Sequence, residues 1–194
     1  MQYSLLAPPL PPGFRYRGGF VSSDDERLLV SGIERLELKR VEMRGGVARR
    51  RIAHFGWTYG FDPRRSNPGD PIPAFLLPLR ARAAEWAGTA PDALAEALVT
   101  EYPEGATIGW HRDAPPFGDV IVGISLLGPS RMRFRPYVSP KDQHGLPPRR
   151  TTHQVELEPR SAYVISGEAR SKFEHSIPAV SSLRYSITFR TLKT

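Results

Sequence analysis

A chain of 194 residues can bury one sizeable core but is too short for two ordinary domains, so one domain over residues 1–194 is expected. Hydrophobic residues at 40% and charged residues at 24% argue against a disordered or membrane chain, and the lack of cysteine excludes disulfides, thiolate catalysis and Cys-ligated zinc or iron-sulfur sites. A net charge of +7 favours a polyanionic partner, nucleic acid first, because neutralising phosphates releases counterions; an arginine-rich composition gives the same balance without such a partner.

Residues 1–12 form a Pro-rich lead (Pro8 to Pro12) without a long apolar run, unlike a signal peptide or membrane helix, so a soluble cytoplasmic protein without a membrane partner is expected. Ser23-Asp24-Asp25-Glu26 has capping-box spacing and predicts a helix with Leu29, Ile33 and Leu36 on its buried face. From Lys39 to Ile52 the chain is too charged for a buried strand, and Gly45-Gly46 punctuates it as a hairpin turn between exposed strands. The aromatic stretch Phe55 to Phe61 lines a pocket or plugs a core, and a Pro/Gly/Asn-rich loop follows from Pro63 to Pro73. Pro78 opens a second helix with Leu79, Ala83 and Trp86 on one face, and Pro91-Asp92 starts a short third.

Beyond that point short apolar runs alternate with turns: Ala106 to His111, Val120 to Leu127, Met132 to Tyr137, Gln154 to Leu157, Ala162 to Ser166 and Tyr185 to Leu192. Helices first and strands after predict an α+β fold, its sheets forming a sandwich or jelly roll with the N-terminal helices packed outside. The loop from Ser139 to Thr152 reads as basic.

Residues two apart on a strand share a face, so His111 and Asp113 can offer an imidazole and a carboxylate to one ion. Alone, His-x-Asp is equally a surface histidine beside an arginine-paired acid. With His175 as third ligand it forms a facial triad that leaves open positions on non-haem Fe(II), though zinc accepts the same set. His54, His144 and His153 lack a paired carboxylate at usable spacing and read as non-ligands, with His54 close enough to the aromatic stretch to touch a substrate.

Downstream, Arg184, Ser186, Thr188 and Arg190 alternate with Tyr185, Ile187 and Phe189, giving a polar face with an arginine at each end. Guanidinium groups bind carboxylates through paired hydrogen bonds, so a chelating diacid would satisfy both this face and the metal. The competing reading is a solvent-facing strand.

The run Tyr102-Pro103-Glu104-Gly105-Ala106-Thr107-Ile108-Gly109-Trp110-His111-Arg112-Asp113, then His175, then Arg184-x-Ser186-x-Thr188-x-Arg190, resembles the AlkB family of Fe(II)/2-oxoglutarate-dependent dioxygenases. Gly13-Phe14-Arg15-Tyr16 and Phe55-Gly56-x-x-Tyr59-Gly60-Phe61 extend the likeness over nearly the whole chain. The resemblance implies a double-stranded β-helix core, iron on His111, Asp113 and His175, and 2-oxoglutarate chelating it. By position Tyr102 and Arg184 would hold the distal carboxylate, Arg190 would lie near the chelating end, and Ser186 and Thr188 would line the co-substrate face. It also implies that O2 and 2-oxoglutarate oxidise a substrate C-H bond, giving succinate and CO2, and that an oxidised N-methyl group leaves as formaldehyde. Thr100 and Ser186 stand where DNA-repair members often carry Asn, and Pro115 where some carry a carboxylate.

For such a substrate, methylated DNA or RNA, the base must leave its stack and meet aromatic side chains near the iron. Trp57 and Tyr59 are the stacking candidates, and Arg51, with Arg49, Arg50, Arg64 and Arg65, the phosphate contacts. Trp110 should point away from the metal into the core, and Arg131, Arg133 and Arg135 form either an exterior basic stripe or an ion-pair ladder. A protein, lipid or small-molecule oxygenase and a non-catalytic nucleic-acid-binding module are the rival readings.

Overall fold

The computed structural model describes residues 10–43, 46–59, 66–139 and 151–193, with the side chains at 42–46 and 58–68 excepted. The hairpin turn at Gly45, Arg64 and Arg65, His144 and nearly all of the basic loop lie outside the described residues.

Strand β1 (Phe14–Arg17) leads into helix α1 (Ser23–Ile33). The helix is capped by Ser22 rather than Ser23: Ser22 Oγ accepts from the Asp25 amide at 3.0 Å, and Asp25 accepts from the Ser22 amide at 3.3 Å. That shift frees Glu26 for another task. Its carboxylate accepts the Leu127 amide at 2.9 Å and the Arg160 guanidinium at 3.1 Å. Among the described residues, Leu127 and Arg160 are the non-glycine residues with positive φ, at 64° and 62°.

The expected exposed strands are β2 (Lys39–Met43) and β3 (Gly46–Tyr59), an antiparallel pair, and the aromatic stretch continues β3 as far as Tyr59. Short β4 (Ser66–Pro68) pairs with the end of β3. Helix α2 (Leu77–Ala87) has Pro78 in its first turn and buries Leu79 and Ala83, with Trp86 against Phe20. Pro91–Ala93 makes one 3-10 turn.

Strand β5 (Leu94–Tyr102) follows, where no strand was expected. Its sequence, LAEALVTEY, is rich in Ala, Leu and Glu, all strong helix formers, so local propensity is overridden by pairing on both edges. Then come β6 (Ile108–His111), β7 (Phe117–Leu127), β8 (Ser130–Pro136), β9 (His153–Leu157), β10 (Ser161–Ile165), the short α3 (Gly167–Ser171), β11 (Phe173–Ile177) and β12 (Arg184–Leu192).

These strands build two sheets. The larger runs β1-β10-β7-β12-β5-β3-β2 with β4 attached to β3, and the smaller runs β6-β11-β8-β9. N-terminal and C-terminal strands therefore share one sheet, instead of a helical half preceding a strand-rich half. Alternation along the central strands separates two cores. Ala97, Val99, Ile187 and Phe189 pack with α1 and α2 on one face of the larger sheet. Phe14, Tyr102, Ile121, Phe134 and Ile177 form a second cluster, drawing on both sheets. Among the described residues, no helix is long and apolar enough to cross a membrane.

Candidate metal and co-substrate site

Register places the chemistry on the inner face. In the smaller sheet β11 pairs with β6 so that His175 stands directly opposite His111, their ring centroids 4.3 Å apart. Asp113 follows β6 by two residues, and its Oδ2 lies 3.8 Å from His175 Nε2. His111 Nδ1 is 2.9 Å from the Gly109 carbonyl. A carbonyl can only accept, so Nδ1 carries the proton and Nε2 keeps its lone pair for an ion.

Asp113 Oδ1 is held by Arg190 Nε at 2.8 Å, which leaves Oδ2 as its free oxygen beside His175. As they stand, the three side chains are neighbours and are not drawn into a closed cage: among the described residues, no group of three His, Asp or Glu converges tightly enough to hold a metal. Burial would raise the Asp113 carboxyl, but Arg190, His175 and His111 outweigh it and lower it. Burial, reinforced by His111, pushes His175 down to about 3. The ring is thus neutral near pH 7, the form that can ligate a cation.

Arg190 is buried between two acids. Its Nη1 reaches Glu96 Oε2 at 2.9 Å, and Glu96, with no exposed surface, accepts His54 Nδ1 at 3.1 Å on its other oxygen. Burial alone would lower Arg190, yet Glu96 and Asp113 raise it.

At the other end of β12, Arg184 is fully buried against the Tyr102 ring, 5.0 Å from its centroid, and donates from one nitrogen to Ser125 Oγ at 2.7 Å. Its Nε and Nη1 have no partner. Burial pulls its pKa down, partly offset by Tyr102 and Tyr163. On this inner face lies a cavity of about 140 Å³, lined among others by Thr100, Tyr102, His111, Asp113, Tyr163, His175, Ser186, Thr188 and Arg190, with Arg184 outside its lining, against Tyr102.

Tyr163 escaped sequence reasoning. It pairs with Gly123 across β10 and β7, and a Cβ at Gly123 would sit 2.1 Å from the Tyr163 ring. The missing side chain is thus what lets the ring lie across β7, where burial raises its hydroxyl to about 12 against the pull of Arg184.

Tyr102, Ser186, Thr188 and Arg190 thus gather with His111, Asp113 and His175 around one cavity, and Arg184 stands behind Tyr102. Arg51 and Trp57 do not join them. Arg51 pairs bidentately with Glu101 at 2.8 Å, on the opposite face of the sheet, because alternation sends Arg50 and Ile52 to the cavity instead. Trp57 lines a separate hollow with Ile72, Leu77 and Arg80. The Tyr59 side chain is outside the described residues.

Trp110 is not a core residue. It lies half-buried on the outer side, with the Arg135 and Arg133 guanidiniums 4.2 and 5.1 Å from its ring. Those arginines are both a stripe and a ladder, since Arg135 pairs with Glu174 and Arg131 with Glu156. Trp110, Arg112, Tyr137, Arg170 and Lys193 line an outer cleft of about 500 Å³ that shares His111 and Asp113 with the inner cavity. The two ligand candidates therefore stand between two hollows.

Residues 38–190 match the family model described as the 2OG-Fe(II) oxygenase superfamily. The chain belongs to that superfamily. Membership implies Fe(II), 2-oxoglutarate and O2, and the donor chemistry suits them once the three side chains draw together: two imidazoles and a carboxylate, and, against Tyr102, a buried guanidinium with two nitrogens lacking acceptors.

Among curated relatives of this oxygenase is an "alkylated DNA repair protein ALKBH8 homolog" of Arabidopsis thaliana, 29% identical over 86% of this chain and 51% of its own length. The mouse "tRNA (carboxymethyluridine(34)-5-O)-methyltransferase ALKBH8" is 27% identical over 87% of this chain and 24% of its own length. An Arabidopsis "RNA demethylase ALKBH9B" is 27% identical over 74% of this chain. The AlkB resemblance read in the motifs agrees with these relatives, and the chain spans about half their length or less. Among solved structures, OsALKBH1 superposes with TM-score 0.65 at 15% identity, covering 95% of this chain and 100% of that one. A Pseudomonas putida prolyl-4-hydroxylase superposes with TM-score 0.61 at 16% identity, covering 93% of both. At those identities the likeness is one of fold.

Proposed function

We propose that this oxygenase removes N-linked methyl groups from bases of DNA or RNA, with iron on His111, Asp113 and His175 and 2-oxoglutarate in the inner cavity. The observation that carries the reading is Arg184: two buried, unpartnered guanidinium nitrogens on the same strand face as the arginine that grips Asp113. A buried cation without acceptors is costly, and the distal carboxylate of a dicarboxylic acid supplies them. Tyr102 and Arg184 take that carboxylate, Ser186 and Thr188 line the cavity between, and Arg190 keeps Asp113 oriented. The two-sheet layout supports the double-stranded β-helix reading of the core.

When bound, iron with 2-oxoglutarate supplies the oxidising power: O2 gives one oxygen to succinate, with loss of CO2, and the other to the substrate methyl carbon. The resulting N-hydroxymethyl group breaks its C-N bond to release formaldehyde. Ile121, Met132 and Ile177 give the inner cavity an apolar wall, and the outer cleft is the approach to His111 and Asp113. In this reading the flipped base enters beside Tyr137 and Trp110, whose rings are met by Arg112 and by Arg133 and Arg135, and Lys193 lies toward phosphates, in place of Trp57 and Arg51. The net charge of +7 and the names of the curated relatives support nucleic acid. Oxidation of a protein side chain is the second reading, because the metal and co-substrate residues do not themselves select the substrate.

Two assays separate these readings. Succinate formation with Fe(II), ascorbate and 2-oxoglutarate tests the enzyme, and its absence both with and without candidate substrates refutes it. Oligonucleotides carrying N1-methyladenine or N3-methylcytosine should lose one methyl mass. Unchanged masses alongside succinate formation point to the protein-directed alternative.

A further inference from the structure

Glu96 is a fully buried acid near the start of β5, and neither the metal nor the co-substrate touches it in the proposed arrangement. Both its oxygens are engaged, one by Arg190 at 2.9 Å and the other by His54 at 3.1 Å. Arg190 in turn donates from Nε to Asp113 Oδ1 at 2.8 Å. The chain His54, Glu96, Arg190, Asp113 thus runs from an exposed edge of β3, where the His54 side chain is 38% exposed, to a metal-ligand candidate.

Charge explains why an acid stands there. The inner face of β5 and β12 buries two cations, Arg184 and Arg190, and one anion, Glu96; Asp113 supplies the second anion. Those four balance, and a divalent cation with a dicarboxylate adds no net charge. Without Glu96, Arg190 would have only Asp113 to satisfy it and would hold that carboxylate harder, against the pull of the metal. A buried ion left without its partner is strongly unfavourable, so the second acid determines how tightly the first is held.

We infer that Glu96 is a positioning residue: it shares Arg190 with Asp113, so that Arg190 steadies one oxygen of Asp113 without withdrawing the other from the metal. This rests on the assignment of His111, Asp113 and His175 as ligands. Partners one shell removed from a metal typically change its affinity by about 10–100-fold when mutated.

The test is a Mn(II) titration of the full chain, followed by the electron paramagnetic resonance signal of the free ion, with folding checked by circular dichroism. Glu96→Gln, which keeps the shape and loses the charge, should weaken Mn(II) binding by about tenfold or more. In an Arg190→Met background the same change should add no further loss, because Glu96 acts through Arg190. Wild-type affinity in Glu96→Gln, or losses that add in the double variant, overturns the inference while leaving the triad intact. A wild-type chain that binds no Mn(II) overturns the ligand assignment and the inference with it. Should Glu96→Gln not fold, His54→Ala at the exposed edge carries the test: weaker Mn(II) binding supports the inference, and wild-type affinity overturns it.

Discussion

Arg184 and Arg190 sit on the same face of β12, both buried, and they are in opposite states. Arg190 has a carboxylate on two sides, on Nε and on Nη1. Arg184 has one hydroxyl partner and two bare nitrogens. A guanidinium whose acceptors are supplied by the fold belongs to the frame, whereas one left short inside the protein is kept for a ligand that brings its own. The same residue type on one strand thus marks where the site is finished and where it is waiting.

The comparison can be broken first at the frame. Asp113→Ala should reduce succinate formation and Mn(II) binding to background, since it removes a ligand candidate and half of Arg190's support. Next, Arg190→Met should cost about 3–5 kcal/mol of stability, because two buried carboxylates lose their cation. Arg184→Met should leave thermal stability unchanged or raised, while 2-oxoglutarate affinity, measured calorimetrically with Mn(II) present, falls about a hundredfold. Equal destabilisation by the two Met variants would erase the distinction drawn here. Smaller again, Gly123→Ala should cost about 1–3 kcal/mol by crowding the Tyr163 ring, read as a lower Tm. Of similar size, Arg51→Ala should cost about 1–3 kcal/mol, because its guanidinium is half exposed but the Glu101 carboxylate it leaves behind is buried, and it should leave succinate formation as it was.

Much of this site was legible from strand parity. The alternation from Arg184 to Arg190 announces a shared face, whereas His111 and Asp113 line one cavity although β6 stops at His111, so the segment after the strand and not parity brings Asp113 there. Parity could not say which face of β3 would turn inward. The pairing of Ile52 with Thr100 decides that, and it sends Arg50 to the cavity and Arg51 away. Strand β5 was hidden because Leu94 to Tyr102 has helix-forming composition, and with it went Glu96, whose role depends on a partner 94 residues downstream. Tyr163 was invisible for a related reason: its reach follows from a glycine on a neighbouring strand. Trp110 was misread because a large apolar side chain suggests a core, whereas two arginines provide it a cover on the outside.

Glu26 has a consequence for how the fold comes apart. One carboxylate on α1 secures the Leu127 amide at the end of β7 and the Arg160 guanidinium before β10, at two places where non-glycine backbone is held left-handed. Such backbone relaxes once its restraint goes. The first helix and two turns more than a hundred residues away are therefore latched together. Their amide protons should exchange with solvent as one cooperative unit, and Glu26→Ala should let all three open together, well before the strands around the cavity.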